Sequence, residues 1–307
     1  VTAGDFVRSF QIEGMNVRGR IVQLTDLADR VLAQHGYPDA VSGVVGEALA
    51  LTALLGASLK FDGVLTLQTR SDGPLRMVVA DFTSPGALRA CATFDRDAVA
   101  ALGPNPAFKE LVGTGSLAIT IDPGGDMERY QGIVPLEGIG LADAATTYFE
   151  QSEQIPTRIK LGVATLASRG ADTRPRWRAG GIVIQNLAAL GGHGGPEPGR
   201  DTSDDWNRAT MLFTTTEPHE LVDPQVEAER LLYRLFHEDG VRVFETQPLA
   251  FSCRCSAERV AAVLEQYPAG DVGELVEQDG LIRATCEFCS QVYSFAPGEI
   301  AKTQAAT

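Results

Sequence analysis

Apolar positions along the chain switch between strand-like and helical spacing, and the switches mark its elements. "VRGRIVQLTDLADRVLAQHGYPDA" predicts a strand over Val17 to Leu24, then a helix that Thr25 or Asp26 can cap and Gly36 can stop. Residues 39 to 60 place Val41, Val44, Val45, Ala48, Leu49, Thr52, Leu55 and Leu59 at spacings of three and four. That spacing predicts a long helix, apolar on more than one side and therefore buried. Two β-rich runs flanking Ser71-Asp72-Gly73-Pro74 predict a hairpin over 63 to 82. A second is predicted from Leu117–Ile121, a Pro-Gly-Gly turn and Arg129–Val134. A helix up to Gln154, a break at Pro156, a strand beyond it and a further strand in "WRAGGIVIQNLAAL" complete this region. Hairpins outnumber strand-helix-strand units, so the expected fold class is α+β, a mainly antiparallel sheet core with packed helices.

The pattern then changes. "GGHGGPEPGRDTSDD", residues 191 to 205, has almost nothing to bury and reads as a linker or exposed loop. After it Leu231, Leu232, Leu235 and Phe236 carry helical spacing in short segments broken by Pro218 and Pro224, which predicts a modest helical bundle rather than a second full core. In the last block Ser256 can cap a helix with Val260, Val263, Leu264 and Tyr267 on one face. A strand, "GLIRATC", leads into a cysteine pair, and "VYSF" follows. So few large apolar residues in a block that small call for a metal or disulfide staple.

Length and charge narrow the function classes. At 307 residues the chain exceeds one typical domain of roughly 100–200 residues. With 40 acidic and 26 basic residues its formal charge is −14, which repels phosphate backbones and anionic lipid surfaces. Nucleic-acid and membrane roles are therefore disfavoured. The longest apolar stretch, residues 40 to 59, is interrupted by Glu47 and glycines, unlike a clean membrane span. The first residues show no basic start followed by an apolar run, so no signal peptide is expected and a cytoplasmic address is favoured.

Chemistry concentrates in the cysteines. Cys253 and Cys255 stand one residue apart, and Cys286 and Cys289 form a two-residue-gap knuckle some thirty residues on. Four thiolates in two close pairs suit tetrahedral zinc, and a closed four-sulfur shell has no open position for hydrolytic chemistry. A thioredoxin-type dithiol at Cys286–Cys289 is the alternative, although no βαβ context surrounds it. His237 can in principle be a ligand but reads as a helix-end residue, and Cys91 reads as a buried core thiol. "GGHGGP" around His193 lacks the Lys-Ser/Thr of a phosphate cradle, and "GTGSLA" precedes a strand rather than a helix. Glu150, Glu153 and Arg158 read as a polar helix face and its turn.

The cysteine arrangement, together with "ERYQGIVPLEG" at 128 to 138, "YFEQSEQIPT" at 148 to 157 and "DDW" at 204 to 206, resembles the heat-shock protein 33 family of bacterial redox-regulated holdase chaperones. The resemblance spans nearly the whole chain, although the Gly/Pro-rich stretch before "DDW" is longer than the family pattern. It implies that Cys253, Cys255, Cys286 and Cys289 bind one Zn2+ when reduced. It also implies that oxidation joins Cys253 to Cys255 and Cys286 to Cys289 with loss of zinc. Residues 193 to 250 would be the switch, packed on the core when inactive and unfolding when the zinc domain melts, and the oxidised chain would dimerise and hold unfolding clients without ATP. Zinc supplies on the order of 10 kcal/mol to the folding of a small domain, so its loss should unfold that domain.

The resulting expectation is an α+β core over 1 to 192, a metastable helical linker over 193 to 250 and a small zinc-binding domain over 251 to 307. The chain is expected to be a chaperone and not an enzyme, with unfolding proteins as partners and no nucleic acid or membrane. A constitutive zinc-ribbon interaction module and a thiol-disulfide oxidoreductase remain as alternatives.

Overall fold

The computed structural model describes residues 4–13, 15–125, 127–167, 174–187 and 203–304. They fall into two compact units, Val1–Phe251 and Ser252–Thr307. His193 and most of the Gly/Pro-rich stretch lie outside the described residues.

The first unit is built on two sheets. Strands β1 (Phe6–Ile12) and β2 (Val17–Leu24) open the chain, followed by helices α1 (Asp26–His35) and α2 (Asp39–Gly56). Gly36 ends α1 in the left-handed conformation, φ 58°, as its position in the sequence predicts. Thr25 sits at the N-cap but makes no side-chain cap bond. The role passes to Asp5, whose carboxylate accepts the backbone N–H groups of Thr25 (2.5 Å) and Leu27 (3.0 Å). A cap supplied from twenty residues away is invisible to local pattern.

β3 (Val64–Ser71), β4 (Leu75–Thr83) and β5 (Ala87–Phe94) follow, then short helices α3 (Arg96–Ala101) and α4 (Phe108–Val112). Next come β6 (Gly115–Asp122), β7 (Tyr130–Pro135) and α5 (Leu141–Tyr148), with a wider π turn over Phe149–Glu153 closed by Gln154 at φ 54°. β8 (Thr157–Leu166) and β9 (Arg176–Asn186) complete the region. Both predicted hairpins form, in the registers Leu67↔Ala80 and Ile119↔Gly132.

Helix α2 packs against strands of both sheets and buries Leu49, Leu51 and Leu54 completely. By length and mean hydropathy, 1.4, it is able to cross a membrane, but 78% of it is buried inside the protein. Cover from two sheets accounts for its all-round apolarity. The approach is close enough that a Cβ at Gly56 would run into the Phe82 ring.

The segment read as a modest helical bundle, which the resemblance expects to pack on the core, does so. α6 (Ser203–Thr214), a 3-10 turn over Pro218–Leu221 and α7 (Ala228–Phe236) are helical as expected. Their apolar faces lie on the first sheet: Phe213, Leu231, Leu232, Leu235 and Phe236 cluster with Phe10, Ile12, Ile21, Ile182 and Ile184. The Phe10 and Phe236 rings stack at 6.0 Å. The chain then leaves helix, and β10 (Val241–Pro248) pairs with β1, in register from Phe6↔Pro248 to Ile12↔Val241. β11 (Ala250–Phe251) adds to β5 in parallel. The linker is thus helical only as far as Phe236, because the open edge of β1 offers residues 241–248 a full hydrogen-bond ladder. The sheet orders are β10-β1-β2-β9-β8 and β11-β5-β4-β3-β6-β7, antiparallel except for β11 on β5.

The second unit contains α8 (Ala257–Leu264), α9 (Ala269–Glu274), the hairpin β12 (Ile282–Thr285) with β13 (Val292–Phe295), and α10 (Pro297–Gln304). Its core is Leu264, Val272, Ile282, Phe295 and Ile300. Of the face predicted for α8, Leu264 is buried and Val260 packs on the core, but Val263 and Tyr267 are half exposed. The unit has too little depth to cover the whole stripe.

Candidate metal centre

Local structure holds each cysteine in place. Cys253 and Cys255 lie on the segment between β11 and α8. There Ser256 caps α8 by accepting the Arg259 N–H at 3.3 Å, which fixes where the chain turns after Cys255. Cys286 and Cys289 occupy the turn of the β12–β13 hairpin, whose register closes at Thr285↔Val292. Ser290 adopts φ 55°, so that its N–H reaches Cys286 O (2.8 Å) and the Cys286 N–H reaches Gln291 O (2.9 Å). This left-handed residue turns the knuckle back on itself.

The four Sγ atoms lie within 4.8 Å of one another. Cys253 Sγ is 3.7 Å from Cys286 Sγ, and Cys255 Sγ is 3.3 Å from Cys289 Sγ. A tetrahedron with metal–sulfur bonds of about 2.3 Å has edges of about 3.8 Å, so the cage has the dimensions of a four-thiolate ion site. The sulfurs stand well beyond the roughly 2.05 Å of an S–S bond, and none is in a disulfide.

Electrostatics follows from crowding four acids into that volume. Burial tends to raise the Cys253 thiol, but the Cys255 backbone N–H and hydrogen bonds from the other three cysteines overcome it and bring the pKa down to about 7. Burial dominates at Cys286 and Cys289 and pushes both thiols up, against backbone N–H donors from Phe288 and Cys289 to the first and from Gln291 to the second. Four thiols crowded into one site resist ionising together unless a cation compensates them. The Tyr293 hydroxyl donates to Cys255 Sγ at 3.2 Å, which pushes the phenol up to about 12. Backbone amides and a phenol directed at sulfur are the outer layer that orients thiolate ligands. The donor set and its spacing fit a soft, tetrahedral cation of the zinc type and leave no room for a fifth ligand.

The cysteines singled out by spacing are thus brought together, and among the described residues they are the group placed for a metal. His237 belongs to the first unit, at the C-cap of α7, with Nδ1 3.1 Å from Tyr233 O. Cys91 is buried in β5, opposite Val79. Glu150 pairs with Arg158 at 2.9 Å, and Glu153 accepts the Tyr148 hydroxyl at 2.8 Å, both ordinary local contacts. Pattern reading missed Tyr293 and Ser290. An aromatic hydroxyl four residues after Cys289 was the available signal for the first, and no residue-type signal marks the second.

Comparison with known proteins extends the picture from the site to the chain. The fold matches the crystal structure of the 33 kDa chaperonin, a heat shock protein 33 homolog, from Thermotoga maritima. The TM-score is 0.79 at 21% identity, over 98% of this chain and 99% of the other. The 33 kDa chaperonin of Caulobacter vibrioides is 46% identical over 296 residues, 95% of each chain. That of Ectopseudomonas mendocina is 38% identical over 299 residues, 97% of this chain and 94% of its own. The family model described as Hsp33 protein matches residues 5–296. With its two-sheet core, its four-sulfur cage and these relatives taken together, the chain belongs to the Hsp33 family.

Proposed function

We propose that this chain is a redox-regulated, ATP-independent holdase chaperone, inactive while its four cysteines hold zinc and activated when they are oxidised. Family membership supports the chaperone role, and its relatives carry the name chaperonin. The observation that carries the finer reading is the pairing of the sulfur cage with a unit whose core is five hydrophobic side chains. A fold with that little burial depends on its staple.

Cys253, Cys255, Cys286 and Cys289 are the ligands in this reading. Zinc, when bound, holds the four sulfurs as thiolates and contributes on the order of 10 kcal/mol to folding of the second unit. Thiolates are the form that oxidants attack. Each disulfide forms as two thiolates give two electrons to one hydrogen peroxide, which takes two protons and leaves as two waters, and the cation is released. The pairing Cys253–Cys255 and Cys286–Cys289 joins sequence neighbours, whereas the cross-site partners are 33 and 34 residues apart. Once the unit has lost its fold, short loops close at the lower entropic cost, which supports neighbour pairing.

The three-part division, core to 192, switch over 193 to 250 and sensor beyond, belongs to the same proposal. Leu231, Leu232, Leu235 and Phe236 are buried against the first sheet in the closed state. Release of α6 and α7 would expose them together with Phe10, Ile21 and Ile184, an apolar surface suited to unfolding clients. Dimerisation on oxidation and a cytoplasmic setting complete the reading, without enzymatic turnover and with neither nucleic acid nor membrane as partner.

The test is light scattering from a chemically unfolded client diluted into the zinc-loaded, reduced protein or into protein treated with peroxide at raised temperature. Thiols and released zinc are counted in parallel. Suppression by the oxidised form alone, with four thiols lost and one zinc released, is the expected result. Equal suppression by both forms points instead to a constitutive zinc module, and catalytic turnover of a disulfide substrate to an oxidoreductase.

A further inference from the structure

Among the described residues of the first unit, Arg18 and Arg20 are neighbouring arginines whose Nε atoms are buried and that pair with no carboxylate. Arg18 and Arg20 lie two residues apart on β2, on the face that carries Val22 and Leu24 into the main core. Both Nε atoms are buried without a hydrogen-bond partner, and no ion pair among the described residues involves either guanidinium. Several other arginines of the unit are paired: Arg174 and Arg176 hold Asp29, Arg89 holds Asp81, and Arg208 holds Glu238 and Asp239. Arg178 also has a buried Nε without a partner, but the charges of Asp223, Asp5 and Asp26 act on it. Burial, reinforced by the like charge of Arg18, pulls Arg20 down to about 10, and burial also lowers Arg18. No acidic neighbour opposes either shift.

Opposed residues of antiparallel strands share a face. The register sets Ser9 against Arg20 and Gln11 against Arg18 on one side, with Val183 against Arg20 and Gln185 against Arg18 on the other. Beyond Gln11 stands Arg242, which Glu13 holds. Two desolvated cations with a hydroxyl and carboxamides beside them have the composition of an anion site. Guanidinium groups offer forked N–H donors to oxygen atoms, and hydroxyl and amide groups supply further donors.

We propose that Arg18 and Arg20, with Ser9 and Gln11, form a binding site for a compact phosphate-class oxyanion on the five-stranded sheet. Two adjacent cations and two neutral donors match an anion of charge near −2 with at least three acceptor oxygens, more than a single carboxylate provides. The bland alternative is that both arginine stems cover apolar neighbours while their heads stay in water.

Calorimetric titration of the zinc-loaded full chain with inorganic pyrophosphate, in low-salt buffer free of other multivalent anions, separates the two. Arg18→Gln and Arg20→Gln are titrated alongside, so that heat from metal chelation is common to all three and subtracts. Saturable binding by the unmodified chain, weakened about tenfold or more in each variant, is expected. Pyrophosphate should also raise the melting temperature of the unmodified chain and not that of the variants. Citrate, a carboxylate anion, should bind more weakly. Absence of saturable binding at millimolar pyrophosphate, equal binding by the variants, or tighter binding of citrate overturns the proposal. So does an Arg20→Gln protein that melts well below the unmodified chain in anion-free buffer, because the guanidinium is then compensated within the fold. A change in oligomeric state on Arg20→Gln, read by light scattering, would make the partner an acidic group of a second copy and would equally overturn it.

Discussion

In the first unit, α2 alone buries Leu49, Leu51 and Leu54 completely between two sheets, and α7 adds Leu232 and Phe236 on the outer face of one of them. In the second unit the described core amounts to Leu264, Val272, Ile282, Phe295 and Ile300, and two of these five remain 8% exposed. The first is stabilised by burial, which oxidants do not reach. Beside that small core the second unit gathers four sulfurs that lie within 4.8 Å of one another and are only partly buried. Where apolar area is short, a staple carries a larger share of the stability, so on the proposed reading the state of these sulfurs would decide whether the unit is folded.

The strongest challenge to this contrast is removal of one sulfur. Cys286→Ser should unfold the second unit, a loss on the order of 10 kcal/mol if the metal is zinc, and leave melting of the first-unit sheets nearly unchanged. Hydrogen exchange in the β12–β13 hairpin reads this directly, and retained protection there would show that the five-residue core suffices. Phe236→Ala, which empties a fully buried position, should cost about 3–5 kcal/mol in chemical denaturation. Its effect should appear first as faster exchange in α7. Loss of protection in β3 or β4 at the same denaturant concentration would mean that the helical cover and the second sheet unfold as one unit.

A smaller effect is expected at Asp29. Burial tends to raise its carboxyl, but bonds from Arg174, the Trp177 N–H and Arg176 outweigh burial and hold it below the ordinary 3.8. A group with a depressed folded pKa stabilises the fold above its unfolded value and loses that contribution as pH falls through the folded one. The contribution should therefore persist at neutral pH and fade only below about 4. Asp29→Asn should cost about 1–3 kcal/mol at pH 7 and flatten the acid limb of the stability curve, a comparison made by urea melts across pH. The smallest change is Ser256→Ala, which removes the α8 cap beside Cys255 and should cost about 1 kcal/mol. A larger drop in metal affinity than in helix content would sharpen the view that the cap serves the cage.

Much of the architecture was legible where one local rule acts. The hairpin turn at Ser71–Pro74, the Gly36 stop and the buried helix over Asp39–Gly56 each follow from spacing within a dozen residues, and each forms as read. The four cysteines were legible because thiols in close pairs have few other uses in such a chain. Residues 241–248 were not, since their burial alternates only partly and their strand exists because β1 has a free edge. The spacing of the helices before them did not show that the first sheet covers them, because amphipathic spacing specifies that a face will be buried but does not name what buries it.

By itself the sequence determined where the buried helix, its preceding strand and helix and the two hairpins lie, that the last block is short of core, and that its sulfurs form two pairs suited to one ion. Only the tertiary structure decided that α6 and α7 lie on the first sheet, that Asp5 caps α1, and that Tyr293 donates to Cys255. It also decided that the Nε atoms of Arg18 and Arg20 are buried without a hydrogen-bond partner. Periodicity and capping are properties of neighbours along the chain, whereas these contacts join residues that come together only after loop closure, and no local pattern encodes the partner.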